Sequence, residues 1–208
     1  MDLNQFFEEL ASQKPVPGGG SASCVSAAMA ASLLEMVAWL SIGRSNDESI
    51  DNQFKGILSE VKEVKTHLFR LADEDAKGYL KVMEAFKLPK TTEEEKDLRK
   101  QAIQKAFEGA ITTPLALLEK TLDLMEWNAF TLEHGNTNAF SDAGVAYHLI
   151  RTAFEGGKMN VLINLGSLHD SNLKNDYLNK LRDIEEKFDS KKQEIENQIK
   201  TWIDAILK

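Results

Sequence analysis

A long run of apolar residues at helical spacing extends from about Ile50 to Phe86. Its members recur at steps of three and four residues, which is the period of one face of an α-helix and not the alternation of a strand. They are Phe54, Ile57, Leu58, Val61, Val64, Leu68, Leu71, Ala72, Ala76, Tyr79, Val82, Met83 and Phe86. The chain has only four prolines and no alternating runs of β-branched residues, so helix is favoured almost throughout. We therefore predict an all-α, up-and-down bundle of long helices, including a long C-terminal helix.

Two helices are predicted before this stripe. Residues 2–12 form a short amphipathic helix, which residues 14–20, with two prolines and three glycines, bring to an end. Ser21 is then the expected N-cap of an alanine- and serine-rich helix that reaches about Ser41. Its small side chains let neighbouring helices approach closely, which places it at the centre of the bundle.

After the stripe, Thr92 and Glu95 have the spacing of a capping box and open the next helix. This helix is expected to reach Thr113, and Pro114 is expected to start or kink another. Gly135 is predicted to end that helix in the left-handed conformation.

The last third of the chain is predicted in three pieces. Ser141 caps a helix over residues 141–154, the glycines at 156–157 break it, and residues 159–165 form a short apolar segment. A long helix follows the polar stretch 167–175. Its apolar stripe is narrow and is interrupted at Lys191, so we expect it to pack on a partner subunit.

Size and charge bound the function. A chain of 208 residues with 42% hydrophobic and 28% charged residues fits a single domain spanning 1–208. The net charge of -8 argues against a nucleic-acid partner or an anionic membrane surface. The least polar stretch, 22–42, has small side chains and carries Glu35, so we predict a buried helix and no transmembrane segment.

The cysteine and histidine content bears on the cellular location and on metal binding. The single cysteine, Cys24, cannot form an intramolecular disulfide, and no leader-like segment precedes the first helix, so we predict a cytoplasmic protein. Cys24 is expected to pack as a small apolar residue. The four histidines show no metal-ligand spacing with one another or with Cys24, and no metal is expected.

The turn formed by Pro17, Gly18, Gly19, Gly20 and Ser21 is the first candidate site. Adjacent glycines expose backbone N–H groups, and the following helix adds partial positive charge, an arrangement that suits a carboxylate, phosphate or polarised carbonyl. The alternative is a flexible turn before a helix.

Asp75 is the second candidate. It lies on the apolar face of the long helix with Ala72, Tyr79 and Met83, where a carboxylate loses water. Its pKa should rise, as suits a general acid near neutrality. The alternative is a structural ion pair with a cation from a neighbouring helix.

The third candidate is the asparagine-rich part of the chain, which includes Asn136, Asn160 and Asn164. Asn160 and Asn164 are four residues apart and share one helix face among apolar side chains. Buried amides need partners, which a ligand with amide-like edges could supply. The alternative is capping and loop hydrogen bonding.

Four stretches of the chain resemble, in order, the cyclodeaminase domain of the formiminotransferase-cyclodeaminase family, which also contains free-standing methenyltetrahydrofolate cyclohydrolases. They are Leu10-Ala-Ser-Gln-Lys-Pro-Val-Pro-Gly-Gly-Gly-Ser21, Asp75-Ala-Lys-Gly-Tyr79 with Met83-Glu-Ala-Phe-Lys-Leu-Pro-Lys90, Gly135-Asn136 with Ser141-Asp142, and Asn160-Val-Leu-Ile-Asn-Leu165. Gly78 departs from the family pattern, which more often has alanine there.

The resemblance implies a helical homodimer with a folate site between helices near the glycine turn. It assigns Asp75 as the catalytic residue with Asp142 as its helper. The implied substrate-binding residues are Pro17, Gly18, Gly19, Gly20, Ser21, Lys87, Asn136, Asn160 and Asn164. Lys87, Lys90 and Arg44 are the candidates for the glutamate tail, with solvated surface as the alternative.

The implied reaction is cyclodeamination of 5-formimino-tetrahydrofolate to 5,10-methenyl-tetrahydrofolate with release of ammonia. The alternative is a cyclohydrolase that interconverts 5,10-methenyl- and 10-formyl-tetrahydrofolate, and a remoter one is a non-enzymatic helical scaffold. No cofactor is expected beyond the tetrahydrofolate substrate.

Overall fold

The computed structural model describes residues 2–208, which form six α-helices. These are α1 Leu3–Leu10, α2 Gly19–Ser41, α3 Glu48–Phe86, α4 Glu93–His134, α5 Phe140–Leu165 and α6 Ser171–Ile206. A short 3₁₀ turn, Thr137–Ala139, precedes α5. Within the described part of the chain no strand is present, so the predicted all-α class is confirmed.

From α2 to α6, successive helices run in opposite directions. The start of α2 lies beside Asp75 in the middle of α3, whereas its later residue Glu35 pairs with Lys65 earlier on α3. On the other side, Ser26 donates to the carbonyl of Leu149 on α5. This arrangement confirms the up-and-down bundle.

The alanine-rich helix α2 is the central helix, as predicted. Ala27, Ala30 and Ala31 have no exposed surface, and α2 packs against α3, α4 and α5. By length and hydropathy alone α2 could cross a membrane, but 56% of its most apolar window is buried inside the bundle, as expected for a core helix.

Small residues set the spacing between α2 and α5. A β-carbon at Gly156 would overlap the Ser23 hydroxyl, and one at Gly157 would lie 3.0 Å from Leu118 of α4. The predicted break at these glycines is therefore wrong. They lie inside one continuous α5 and allow it to approach its neighbours.

Of the two outcomes predicted at Pro114, the start of a separate helix is wrong, because α4 continues through the proline. A proline leaves the carbonyl four residues earlier without its helical donor. That carbonyl belongs to Ala110, and the side-chain Nδ2 of Asn164 donates to it at 3.1 Å. A donor from α5 thus replaces the hydrogen bond that the proline removes.

Three predicted caps differ from the structure. Gly18, not Ser21, is the N-cap of α2, and Ala139, not Ser141, precedes α5. Gly135 ends α4 with a φ of -76°, outside the left-handed region. The capping box of Thr92 and Glu95 is confirmed, with both hydrogen bonds present.

The C-terminal helix α6 packs on its own chain. Its apolar side chains Phe188 and Ile195 are buried in the core. Lys191, which interrupts the stripe, pairs with Glu126 of α4 at 2.8 Å. The expectation that α6 reaches out to a partner subunit is therefore wrong for most of its length, and only its last turn, with Ile203 and Ile206, keeps exposed apolar residues.

Candidate active site

A cleft of about 470 Å³ opens where four elements meet: the glycine turn, the second half of α3, the middle of α4 and the last turns of α5. Gly18, Gly19 and Gly20 lie on one side of it. Asp75, Asn160 and Asn164 also line it, so the structure brings together residues from three of the four motifs.

Asp75 lies directly against the first turn of α2. Its Oδ2 is 3.1 Å from the Ser21 hydroxyl, and a β-carbon at Gly20 would overlap its carboxylate. Position 20 therefore requires glycine for α2 to begin this close to α3. Of the three glycines, Gly20 is the one that lies against the carboxylate, whereas Gly19 lies nearest to Asn160.

Burial raises the pKa of the Asp75 carboxyl above its usual value, and hydrogen bonding from the hydroxyl and backbone N–H of Ser21 opposes this shift. The direction is the one predicted from the sequence. Among residues 2–208 no cation lies within 4 Å of this carboxylate, which removes the structural ion pair as an alternative.

Ser21 is buried, with 1% of its surface exposed, and so does not face the cleft. Its hydroxyl lies 3.0 Å from the carbonyl of Ala72 as well as 3.1 Å from Asp75. A hydroxyl has one hydrogen, and a carbonyl can only accept. The hydroxyl can therefore donate to Asp75 when that group is ionised, or donate to Ala72 and accept from Asp75 when it is protonated.

Asn160 and Asn164 line the cleft, and their side-chain oxygens are the atoms left without a protein partner. The Nδ2 of Asn160 donates to the carbonyl of Gly156 at 2.8 Å, and the Nδ2 of Asn164 donates to the carbonyl of Ala110. Neither Oδ1 has a partner among the described residues. These two oxygens are acceptors available for N–H groups of a ligand.

Apolar side chains form the rest of the wall. Tyr79, Met83 and Phe86 of α3 are about 40% exposed and face Phe107 of α4 and Ile163 of α5 across the cleft. The sequence assigned the α3 residues to a core stripe and missed Phe107 and Ile163. The spacing of the apolar residues could not show that the last third of the stripe lines a cleft, because side chains that contact a ligand and side chains in a core recur at the same helical spacing.

Two other predicted binding residues lie outside the cleft wall. Pro17 follows a cis peptide bond and lines a neighbouring hollow between α1 and α3. Lys87 is exposed and directly follows Phe86, at the end of α3.

Asn136 and Asp142 are at the opposite end of the bundle. Asn136 bonds to Ser41 and Leu40 at the end of α2, and its side-chain oxygen accepts from the N–H of Asn138. These bonds favour the loop role given as the alternative. Asp142 is 18 residues before Asn160 on the same helix, a rise of roughly 27 Å, so one chain does not bring Asp142 to Asp75.

Arg44 is also remote, since its Nε donates to the carbonyl of Leu40 at that far end. Its predicted contact with the glutamate tail therefore does not arise within one chain.

Cys24 is not a nucleophile candidate. It is buried at 1% exposure, and burial together with the nearby charges of Asp75 and Glu74 raises its pKa to about 12. Its predicted role as a small apolar residue is confirmed. In residues 2–208 no three His, Cys, Asp or Glu side chains are grouped as a metal site would need.

The site therefore combines one carboxyl with a raised pKa, two amide oxygens without protein partners and an apolar slot. A planar heterocycle with N–H donors fits such a cleft, and the carboxyl can exchange a proton with a nitrogen held near Gly19 and Gly20.

Comparisons with known proteins agree with this chemistry. A family model described as formiminotransferase-cyclodeaminase matches residues 2–183. A methenyltetrahydrofolate cyclohydrolase of Methylorubrum extorquens is 34% identical over 168 residues, covering 81% of each chain. A formimidoyltransferase-cyclodeaminase of Mus musculus is 35% identical over 170 residues, and the match spans 31% of that relative.

The fold has a solved counterpart in formiminotetrahydrofolate cyclodeaminase from Thermotoga maritima. The two structures superpose with a TM-score of 0.88 and 30% identity, over 98% of each chain. Because the family model covers most of the sequence, this chain belongs to the formiminotransferase-cyclodeaminase family.

Proposed function

We propose that this chain is a cyclodeaminase that converts 5-formimino-tetrahydrofolate to 5,10-methenyl-tetrahydrofolate and releases ammonia. The observation that carries the proposal is Asp75, a carboxyl with a raised pKa beside the glycine turn in the cleft. Relatives in this family carry the names of folate enzymes, including a cyclodeaminase whose structure matches 98% of this chain.

The reaction takes up one proton in all, and the leaving nitrogen must gain two protons before it departs as ammonia. N10 attacks the formimino carbon, and the proton lost by N10 converts the imine nitrogen of the resulting tetrahedral carbon to an amine. That amine leaves as ammonia once it gains a second proton, which protonated Asp75 supplies. The carboxylate left behind lies beside the cationic methenyl bridge and stabilises it.

Ser21 supports both states of this acid. Its hydroxyl accepts from protonated Asp75 while donating to the Ala72 carbonyl, and it turns to donate to the carboxylate after the proton has left. Asn160 and Asn164 accept N–H groups of the pteridine ring, and the apolar slot holds the aromatic ring that follows it.

A cyclohydrolase is the second candidate. The Methylorubrum relative with that name matches over 81% of its own length, as a free-standing chain of similar size would. In this reaction water adds to the methenyl carbon, and ionised Asp75 takes one proton from it, which leaves a hydroxyl on a tetrahedral carbon. Asp75 returns that proton to N5 as the carbon–N5 bond breaks, and the hydroxyl loses its own proton to solvent as the formyl C=O forms. The same carboxyl serves both reactions.

Absorbance of the methenyl chromophore separates the candidates. Gain of absorbance with release of ammonia from 5-formimino-tetrahydrofolate indicates the cyclodeaminase, and faster loss from the methenyl compound indicates the cyclohydrolase. Asp75→Asn should abolish the activity, while Asp73→Asn, at an exposed aspartate on the same helix, should preserve it. Silence with both substrates from folded protein would support the helical scaffold instead.

We also propose a homodimer. A groove of about 630 Å³ between α2, α3 and α5 has no charged residue in its wall, and Met29, Met36, Phe69 and Val145 expose more than a third of their surface there. An uncharged apolar surface of this kind suits an identical copy. Sedimentation should give a dimer that Met36→Glu converts to a monomer, and a monomeric parent would refute this.

The remaining proposals concern the location of the protein in the cell and its cofactor requirement. We propose a cytoplasmic location, which the single buried cysteine suits, and a reaction that uses no cofactor besides the folate. Activity retained after dialysis against a chelator would support the second of these.

A further inference from the structure

The active-site cleft adjoins a second hollow of about 400 Å³. Phe86, Phe107 and Ser167 line both spaces, so the two are neighbours that share a wall. The first space has the carboxyl and amide groups, the shared wall is aromatic, and the far space is lined by Arg99, Lys100 and His169. Polarity therefore changes from the hydrogen-bonding cleft, through the shared aromatic wall, to a hollow that holds the cations Arg99 and Lys100.

Arg99 is held in place without being neutralised. Its Nε and Nη2 donate to the carbonyl of Phe86 at 3.3 and 3.1 Å, and its guanidinium carbon lies 5.6 Å from the centre of the Phe86 ring. In the part of the chain that the structure describes, no carboxylate pairs with Arg99 or Lys100 within 4 Å. A fixed guanidinium with free N–H groups is a good donor to a carboxylate.

The floor of this hollow is rigid as well. Gln104 donates to the carbonyl of Ser167 at 3.1 Å and accepts from the backbone N–H of His169 at 2.6 Å. This side chain ties the connection between α5 and α6 to α4. The cations of α4 therefore face a wall of fixed position.

We infer that the hollow binds the glutamyl carboxylates of the folate, with Arg99 and Lys100 as the ligands. This inference rests on the proposed function. In a tetrahydrofolate the p-aminobenzoyl ring separates the reacting pteridine from the glutamate, and the shared aromatic wall separates the cleft from the cationic hollow in the same order. The assignment replaces Lys87, which lies outside the hollow wall, and Arg44, which lies at the far end of α2.

Calorimetric titration with 5-formyl-tetrahydrofolate tests the inference. Arg99→Gln and Lys100→Gln should each weaken binding about tenfold, as expected for loss of one charge-assisted contact. Lys96→Gln is the control, because it removes a charge from the same helix where Glu93 already neutralises it, and it should leave the affinity unchanged.

A tetrahydropterin without the benzoylglutamate part gives the specificity arm. Its affinity should be the same in the parent and in both variants. Lys100 has no partner among the described residues, so Lys100→Gln is informative even if Arg99→Gln disturbs the end of α3. The subsite would be overturned if parent and variants bound 5-formyl-tetrahydrofolate with equal affinity. It would also be overturned if the variants lost as much affinity for the tetrahydropterin as for 5-formyl-tetrahydrofolate.

The two proposals fail in different ways. A parent protein that binds no folate and leaves the methenyl chromophore unchanged refutes the proposed function and this subsite with it. A parent that turns over folate while both variants keep its KM refutes the subsite alone.

Discussion

Replacing Asp75 by asparagine should abolish activity and at the same time stabilise the fold at neutral pH. The carboxyl is held where burial raises its pKa, so ionising it costs free energy in the folded state. Asparagine has the same shape and carries no charge. Its amide nitrogen can donate to the Ser21 hydroxyl, which then donates to the carbonyl of Ala72, as in the protonated acid.

The sign of the pH dependence follows from this shift. Because the folded pKa is raised above the unfolded one, the folded state binds more protons between the two values, and stability falls as pH rises through that window. Each unit by which burial raises the pKa lowers the free energy of unfolding at neutral pH by about 1.4 kcal/mol. The asparagine variant lacks this loss, so its advantage should grow from acidic to neutral pH.

Urea unfolding of parent and variant at several pH values between about 4 and 8 measures the effect. The difference in unfolding free energy should be small at the acidic end and should favour the variant at the neutral end. Asp73→Asn, at an exposed position two residues away, provides the matched control and should show no such trend. A pH-independent difference, or a variant less stable than the parent at neutral pH, would refute the desolvation of Asp75.

Three other substitutions test single contacts of the cleft. Ser21→Ala removes a hydroxyl that donates to ionised Asp75, so the pKa seen in the pH profile of kcat/KM should rise by about one unit. An unchanged profile would contradict the hydrogen bond between Ser21 and Asp75. Asn164→Ala should lower the unfolding free energy by about 1 kcal/mol. The loss should be clearly smaller in a Pro114→Ala background, because residue 114 then donates its own N–H to the carbonyl of Ala110. Equal losses in the two backgrounds of this double-mutant cycle would show that Asn164 does not replace the missing helical hydrogen bond. Gly78→Ala should raise the unfolding free energy by about 0.5–1 kcal/mol, because alanine is the better helix former. The added β-carbon would lie 3.8 Å from the Cα of Ala110, which is ordinary contact. A lower melting temperature would show that α3 and α4 are packed too tightly for the extra methyl group.

The helices could be predicted from the sequence where their signals were local. The apolar stripe of α3 and the capping box at Thr92 depend on neighbouring residues only, and both were confirmed. A new helix at Pro114 and a break at the glycines 156–157 were both predicted from local pattern, and both were wrong because contacts with other helices decide them. The proline is accommodated by Asn164, and the glycines are packing contacts, which no local pattern shows.

The site was predictable to the extent that a carboxylate on an apolar face is anomalous. That anomaly identified Asp75, and the shared face of Asn160 and Asn164 identified two further residues of the cleft. Phe107 and Arg99 could not be found in this way, because an aromatic residue or a cation on a helix has no unusual pattern. Their importance depends on the position of α4 beside α3, which is a tertiary property.

The composition of α2 connects packing with chemistry. Gly20 has no side chain, and this lets the start of α2 cover the Asp75 carboxylate and exclude water from it. Further along the same helix, small residues such as Ser23 admit the glycines of α5, which brings Asn160 to the opposite wall of the cleft. The close helix packing that fills the core is therefore also the cause of the raised pKa. A larger side chain at Gly20 should displace Asp75 and weaken the acid without removing any group that touches the substrate.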